Sequence, residues 1–315
     1  MASGIKTRFF IISDTHGETL TPRISVKADV AIHCGDLTQE SKISEFRTTI
    51  QLLKDLDAGL KLVIAGNHDF TLDTPVFKEK IVESCLQSEM HTVIKEYGEF
   101  EEARQLLDKA AETGIIFLEE GSHHFTLANG ASLTVYASPW VPSASNWGFS
   151  FHPERGHNFF IDEGVDVVIT HGPPKGILDY TEARQRADCS KLFEAVARAR
   201  PRMHCFGHIH EGWGAKLVSW REEPSEVPSH FTDIDNERSV TLERLATLAA
   251  KKDGNRSNMV CSTSHCRGDE SPLEKGQQTL FVNAAIQSLE GEQQLPWLVD
   301  VELPASASTT TSVES

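Results

Sequence analysis

Five short polar clusters punctuate the first two thirds of this 315-residue chain: Asp14-Thr15-His16, Gly35-Asp36, Gly66-Asn67-His68-Asp69, His171-Gly172 and Gly207-His208-Ile209-His210. Each carries a carboxylate, an amide or an imidazole, the side chains that ligate divalent metal ions and move protons. Singly they are ordinary. Gly-Asp is a common turn dipeptide, Asp-x-His caps helices, and a lone histidine such as His171 is more often a hydrogen-bonded structural residue than a ligand. Jointly they are not, because each cluster directly follows a short apolar run. In an open α/β sheet the carboxyl ends of the strands share one edge, and ligands bind in the crevice there. Five such loops would bring two Asp, one Asn and several His to one place.

The elements that must position them read as alternating strands and helices. Residues 8–13, 29–33 and 61–65 are buried strands that end at polar or glycine-containing turns. Between the last two, Ile43, Phe46, Ile50, Leu53 and Leu56 recur every three or four residues, one apolar stripe on a helix over 40–56. Pro75 opens a second helix, and 101–113 forms a third that stops at Gly114. Residues 115–118, 125–127 and 133–137 are strands, the last two joined through Asn129-Gly130, a hairpin signal. Strands at 165–170 and 203–206 flank a helix at 189–199, and 279–285 and 297–303 close the run. This rhythm predicts an α/β layered fold. Residues 221–278 are polar and poor in aromatics, and read as a mostly flexible insertion with one short helix around 240–252. The tail from Pro304 reads as disordered.

The clusters resemble the five signature motifs of the calcineurin-like metallophosphoesterases. Ser138-Pro139-Trp140, Asn146-Trp147-Gly148-Phe149, His171-Gly172-Pro173-Pro174 and 206–212 (Phe-Gly-His-Ile-His-Glu-Gly) are similar to the branch that resembles cyclic-nucleotide phosphodiesterases. The resemblance covers about 8–214 and 279–303. It implies a single domain over 1–315, a four-layer α/β/β/α sandwich with two mixed sheets flanked by helices. It also implies a two-metal centre: Asp14, His16 and His210 on one ion, Asn67, His171 and His208 on the other, and Asp36 bridging. Imidazole with carboxylate suits Mn, Fe or Zn better than Ca, and Mn is the favoured pair of ions. Such a pair lowers the pKa of a bridging water and binds phosphate oxygens, so the resulting hydroxide attacks phosphorus in line. In the family the histidine after the Asn, here His68, protonates the leaving group or stabilises charge on the phosphate. Where the family's phosphatases carry a second Asp to orient that histidine, this chain has Gln39. A neutral amide stabilises an imidazolium less than a carboxylate does, unless Asp69 substitutes. This tilts the expected reaction from phosphomonoesters towards small phosphodiesters, with cyclic nucleotides leading. A phosphomonoesterase or nuclease, or a weakly active metal-binding interaction protein, is the alternative. Asn67, His68 and Lys175, the last in the rigid loop Gly172-Pro173-Pro174-Lys175-Gly176, are the candidate substrate contacts.

Composition narrows the partners. Apolar residues make up 39% and charged residues 24%, enough for a substantial core and too ordered a balance for a wholly disordered chain. Forty-six acids against thirty bases give -16. That charge, without a basic stripe, argues against duplex nucleic acid or an anionic membrane as partner, while bound metal ions would still reverse the sign of one pocket for a small phosphoester. The apolar run Phe9-Phe10-Ile11-Ile12 is too short for a signal or membrane segment, and six scattered cysteines make no disulfide framework, so a cytoplasmic location is expected. Cys261 and His265-Cys266 lack a second ligand pair for zinc. Cys34 and Cys205 read as core fillers, and Trp140, Trp147, Phe149 and Phe151 as rings packed under a loop, with stacking on a nucleobase as the alternative.

Overall fold

The computed structural model describes residues 4–21, 23–84, 90–186, 189–247, 260–287 and 293–306. Its strands are β1 (Ile5–Ile12), β2 (Ala28–His33), β3 (Ala58–Val63), β4 (Ile115–Phe117), β5 (Gly121–Thr126), β6 (Ser132–Ser138), β7 (Val141–Pro142), β8 (Ser150–Phe151), β9 (Val167–Thr170), β10 (Met203–Phe206), β11 (Gly214–Trp220), β12 (Ile234–Arg244), β13 (Cys261–Ser264), β14 (Gln278–Asn283) and β15 (Trp297–Leu303). Its helices are α1 (Ile43–Asp55), α2 (Thr74–Ser84), α3 (Met90–Tyr97), α4 (Glu102–Ala110) and α5 (Ser190–Ala199).

Two mixed sheets pack face to face, ordered β13-β15-β1-β2-β3-β4 and β12-β11-β14-β10-β9-β6-β5. The apolar faces of both meet in one core, in which Phe9, Ile11, Val30 and Leu62 of the first touch the group of Leu133, Val135, Val167 and Met203 of the second. Cys34 and Cys205 are buried there, as fillers. The outer face of the first sheet is covered by α1 and α4, through Phe46, Ile50, Leu53 and Leu107. The outer face of the second is covered by α5, through Leu192, Phe193 and Val196. Burying each such side chain contributes about 1.5–3 kcal/mol, which is why these stripes select helices that lie flat on a sheet. The result is four layers, helix, sheet, sheet, helix.

The parallel strands β1, β2 and β3 run side by side, as do β9 and β10. Their carboxyl ends therefore lie on one edge of each sheet. The two edges are joined where Ser13, just past β1, bridges Ala285, just past β14.

The segment read as a flexible insertion departs from that expectation. β12 extends the second sheet by pairing antiparallel with β11, and β13 extends the first by pairing parallel with β15. Residues 240–244, read as the start of a helix, are strand, with Leu242 packed against the inter-sheet core. Residues 245–247 are helical, as expected, and residues 248–252 of that reading lie outside the described residues. The polar stretch is an edge strand with one solvated face, stabilised by a distant partner rather than by its own composition. The tail begins differently too: Ser306 N donates to Gly130 O (2.9 Å), Ser132 N donates to Pro304 O (2.8 Å), and so the chain closes on the β5–β6 hairpin. Residues 307–315 lie outside the described residues.

Candidate metal centre

Every polar cluster sits where its strand ends. Asp14 and His16 follow β1, Asp36 follows β2, Asn67 and His68 follow β3, His171 follows β9, and His208 and His210 follow β10. The backbone itself is bent to bring them together. Asp14, His16, Asp36 and His208 all have left-handed φ, at 54°, 48°, 52° and 66°. Such conformations cost roughly 1–3 kcal/mol each in non-glycine residues and persist where the surroundings over-determine them. Gly207 shows how close the loops come: a Cβ there would lie 2.0 Å from Asp14 Oδ2.

Ligand-type atoms converge in overlapping groups. Asp14, His16 and His210 form one, and Asp36, His171 and His208 another, with the chosen atoms of each group within 4.8 Å of one another. Asp36 Oδ2 lies 3.3 Å from His171 Nε2 and 3.8 Å from His16 Nε2, between the two groups. Asn67 Oδ1 is 3.0 Å from His171 Nε2. The seven residues expected from the sequence are thus brought together. A third group, His16, Asp36 and His68, also closes, so His68 stands at the rim of the same cluster.

Two observations show that the set fits a cation. His171 Nδ1 lies 2.9 Å from the Cys34 carbonyl, which can only accept, so Nδ1 carries the hydrogen. Its Nε2 then faces the oxygens of Asn67 and Asp36, an arrangement that a positive charge among the three satisfies. In the bare chain that charge is a proton. Burial works against the imidazolium, but the charge and hydrogen bond of Asp36 outweigh it and lift His171 to about 9. Secondly, both ring nitrogens of the buried His16 lack any hydrogen-bond partner. Burial holds His16 below the ordinary histidine value and takes His208 down to about 4, leaving the neutral imidazoles that metal ligation requires. Against the cost of burial, the His210 hydrogen bond and charge bring Asp14 down to about 2, and His171 and its neighbours hold Asp36 below the carboxylate range. Both are carboxylates at neutral pH.

Sequence reasoning left three supports unseen. His68 Nδ1 lies 2.7 Å from the main-chain carbonyl of Gln39, so the backbone of that residue, not its side chain, orients the ring. Asp69, considered as a substitute partner for His68, is turned away. Its carboxylate accepts from Gly66 N (2.8 Å), Leu37 N (3.1 Å), Thr38 N (3.0 Å) and Thr38 Oγ1 (2.7 Å), clamping the Asp36 and Asn67 loops together. Asp69→Ala would orphan three buried amides, and about 3–5 kcal/mol of stability is expected to be lost in urea unfolding. A loss under about 1 kcal/mol would mean the clamp is not structural. Thirdly, Trp147 lies against the His68 ring, with centroids 4.6 Å apart. Asp69 and Trp147 stand in motifs that the sequence shows, but their roles do not, because each depends on a contact with a loop distant in the chain.

The remaining candidates fall elsewhere. Lys175 lies on the loop bridged to Cys189, where its charge is felt at His230. Trp140 packs edge-on against Phe149 and stacks on His157, which pairs with Glu120 (2.7 Å). His265 bonds Thr263 Oγ1 and the Ser271 carbonyl, and among the described residues no metal-type group includes it, Cys261 or Cys266. No helix among the described residues is long and apolar enough to cross a membrane.

A double-sheet frame with Asp, Asn and His gathered at its joined carboxyl edges is that of a metal-dependent hydrolase. Residues 7–212 match the model of the calcineurin-like phosphoesterases, and the chain belongs to that family. Metallophosphoesterase domain-containing protein 1 of Homo sapiens and of Mus musculus are each 36% identical to it over 215 residues, covering 66% of this chain and 62% of theirs. A UPF0046 protein of Caenorhabditis elegans is 34% identical over 221 residues, covering 66% of this chain and 52% of its own. The matched stretch thus takes in less than two thirds of these relatives' length. Family and clusters together mark the site as one for divalent metal.

Proposed function

We propose that the protein is a metal-dependent phosphoesterase that hydrolyses small phosphodiesters, with cyclic nucleotides the leading candidates. Asp14, His16 and His210 would hold one divalent ion, Asn67, His171 and His208 a second, and Asp36 would be shared, with manganese the favoured metal. When bound, such ions supply Lewis acidity towards phosphate oxygens and lower the pKa of water. The chain's own part is positional and electrostatic. Two buried carboxylates and the neutral imidazoles of His16 and His208 stand ready before substrate arrives, His171 exchanges its proton for a metal ion, and the bent, glycine-assisted loops keep the set from relaxing. The Gln39 carbonyl holds Nδ1 of His68, which leaves Nε2 as the atom that meets a leaving-group oxygen. Asn67 and His68 are the substrate contacts the geometry favours, and Lys175 a more distant phosphate contact.

The observation that carries this reading is the convergence of His171 Nε2 with Asn67 Oδ1 (3.0 Å) and Asp36 Oδ2 (3.3 Å), three atoms of the types that ligate divalent metals. Purified protein loaded with Mn²⁺ should turn over bis-p-nitrophenyl phosphate and 2′,3′- or 3′,5′-cyclic nucleotides, and lose that activity to a chelator. Full metal occupancy with no turnover of any phosphodiester would favour a metal-binding interaction protein instead.

A further inference from the structure

We infer that Trp147 is a specificity-determining residue, selecting phosphoesters whose leaving group carries a flat apolar ring over those with small alkyl groups. The inference rests on the proposed phosphoesterase reading and deepens it. The His68 ring is held between two neighbours: His16, edge-on at 4.8 Å between centroids, and the Trp147 indole, tilted 35° at 4.6 Å. An ester oxygen that meets Nε2 of His68 therefore has its substituent beside the indole. Trp147 is 37% exposed, so one part of the residue packs on His68 while another meets solvent.

The indole is not on a loose loop. Gly148 N donates to Asn67 O (3.1 Å), and Phe149 N donates to Asp73 Oδ2 (2.8 Å). The chain presses so closely that a Cβ on Gly148 would lie 2.7 Å from Phe70 Cα. The segment bearing Trp147 is thereby tied to the loop bearing Asn67 and His68, and the ring keeps its place relative to them. The ammonium of Lys80 lies over the indole at 5.5 Å and over the Phe70 ring at 5.1 Å, placing a positive charge at the seam between them. A rigid aromatic wall with a cation held against it fits an anion that carries a flat ring, and offers a methyl or ethyl substituent little.

Phenylphosphonate and methylphosphonate share the anionic head and differ in the ring, and neither can be hydrolysed. Titrated calorimetrically into the Mn²⁺-loaded full chain, phenylphosphonate should bind about tenfold more tightly, the lower range of ring stacking. Trp147→Leu keeps apolar bulk against His68 but no stacking surface, and should bring the ratio to near one. Trp147→Phe should restore part of it, and serves also if the leucine variant fails to fold, by showing a ratio below that of the natural chain. Equal affinities in the natural chain, or a ratio unchanged in both variants, would overturn this inference and leave the phosphoesterase reading standing. Binding of neither phosphonate would overturn both. A ring preference that depends on Trp147, in a protein that hydrolyses no phosphodiester, would count against the enzymatic reading alone.

Discussion

On the proposed reading of a shared ligand in a two-metal phosphodiesterase, Asp36→Ala is expected to strip the protein of both divalent ions and to lower phosphodiester turnover about a thousandfold or more, the several kcal/mol that metal ions contribute. The reason is its place between the two groups. One carboxylate oxygen stands 3.3 Å from His171 Nε2 and 3.8 Å from His16 Nε2, while the other accepts the His68 amide at 2.9 Å. Without it, each group keeps ligands but loses the negative charge common to both, and the His68 amide loses its acceptor. Asp36→Asn separates these effects, since the amide keeps the shape and the bond from His68 N but not the charge. It should fold as the natural chain does and still bind metal far more weakly. Metal analysis of the purified proteins decides: Asp36→Ala with a full complement of metal would end the shared-ligand assignment. Asp69→Ala makes the contrast, because it should lose stability while all seven candidate ligands remain.

Much of this centre is legible in the sequence because its supports are local. A buried parallel strand is a continuous apolar run, and the polar residues that follow it must lie at the sheet's carboxyl edge, so Ile12 to Asp14 or Phe206 to His208 can be read without knowing the partners. What cannot be read is whatever a distant segment supplies. Asp235 and Thr241 look like solvated coil, yet they pair with Ser219 and Lys216 of β11 on either side of a bulge that takes in Asn236, Glu237 and Arg238, and Leu242 reaches the core. The Cys261–Ser264 strand exists only through β15. The same limit applies within the site. A missing aspartate at Gln39 reads as a weakened acid, but a main-chain carbonyl has no residue code, and it is the Gln39 carbonyl that meets His68. Asp69 reads as a free carboxylate for that role until four donors from three residues are seen to occupy it.

His68→Ala distinguishes a proton donor from a ligand. As a donor, His68 acts on the leaving oxygen, so its removal should leave metal content intact and cut the rate by about 10²–10⁴ for nucleoside or alkyl diesters, whose leaving groups need a proton. For a p-nitrophenyl ester the departing phenolate is already stable, and the loss should be small. As a ligand, His68 would act on every substrate alike. That rival is concrete, because His68 closes a group with His16 and Asp36. Equal losses on both ester types, or loss of metal, would move His68 into the ligand set. Gln39→Ala completes the test. It removes the amide side chain but keeps the carbonyl that accepts from Nδ1, and it should therefore behave close to the natural chain. A large loss in Gln39→Ala would show that the side chain, rather than the backbone, positions the imidazole.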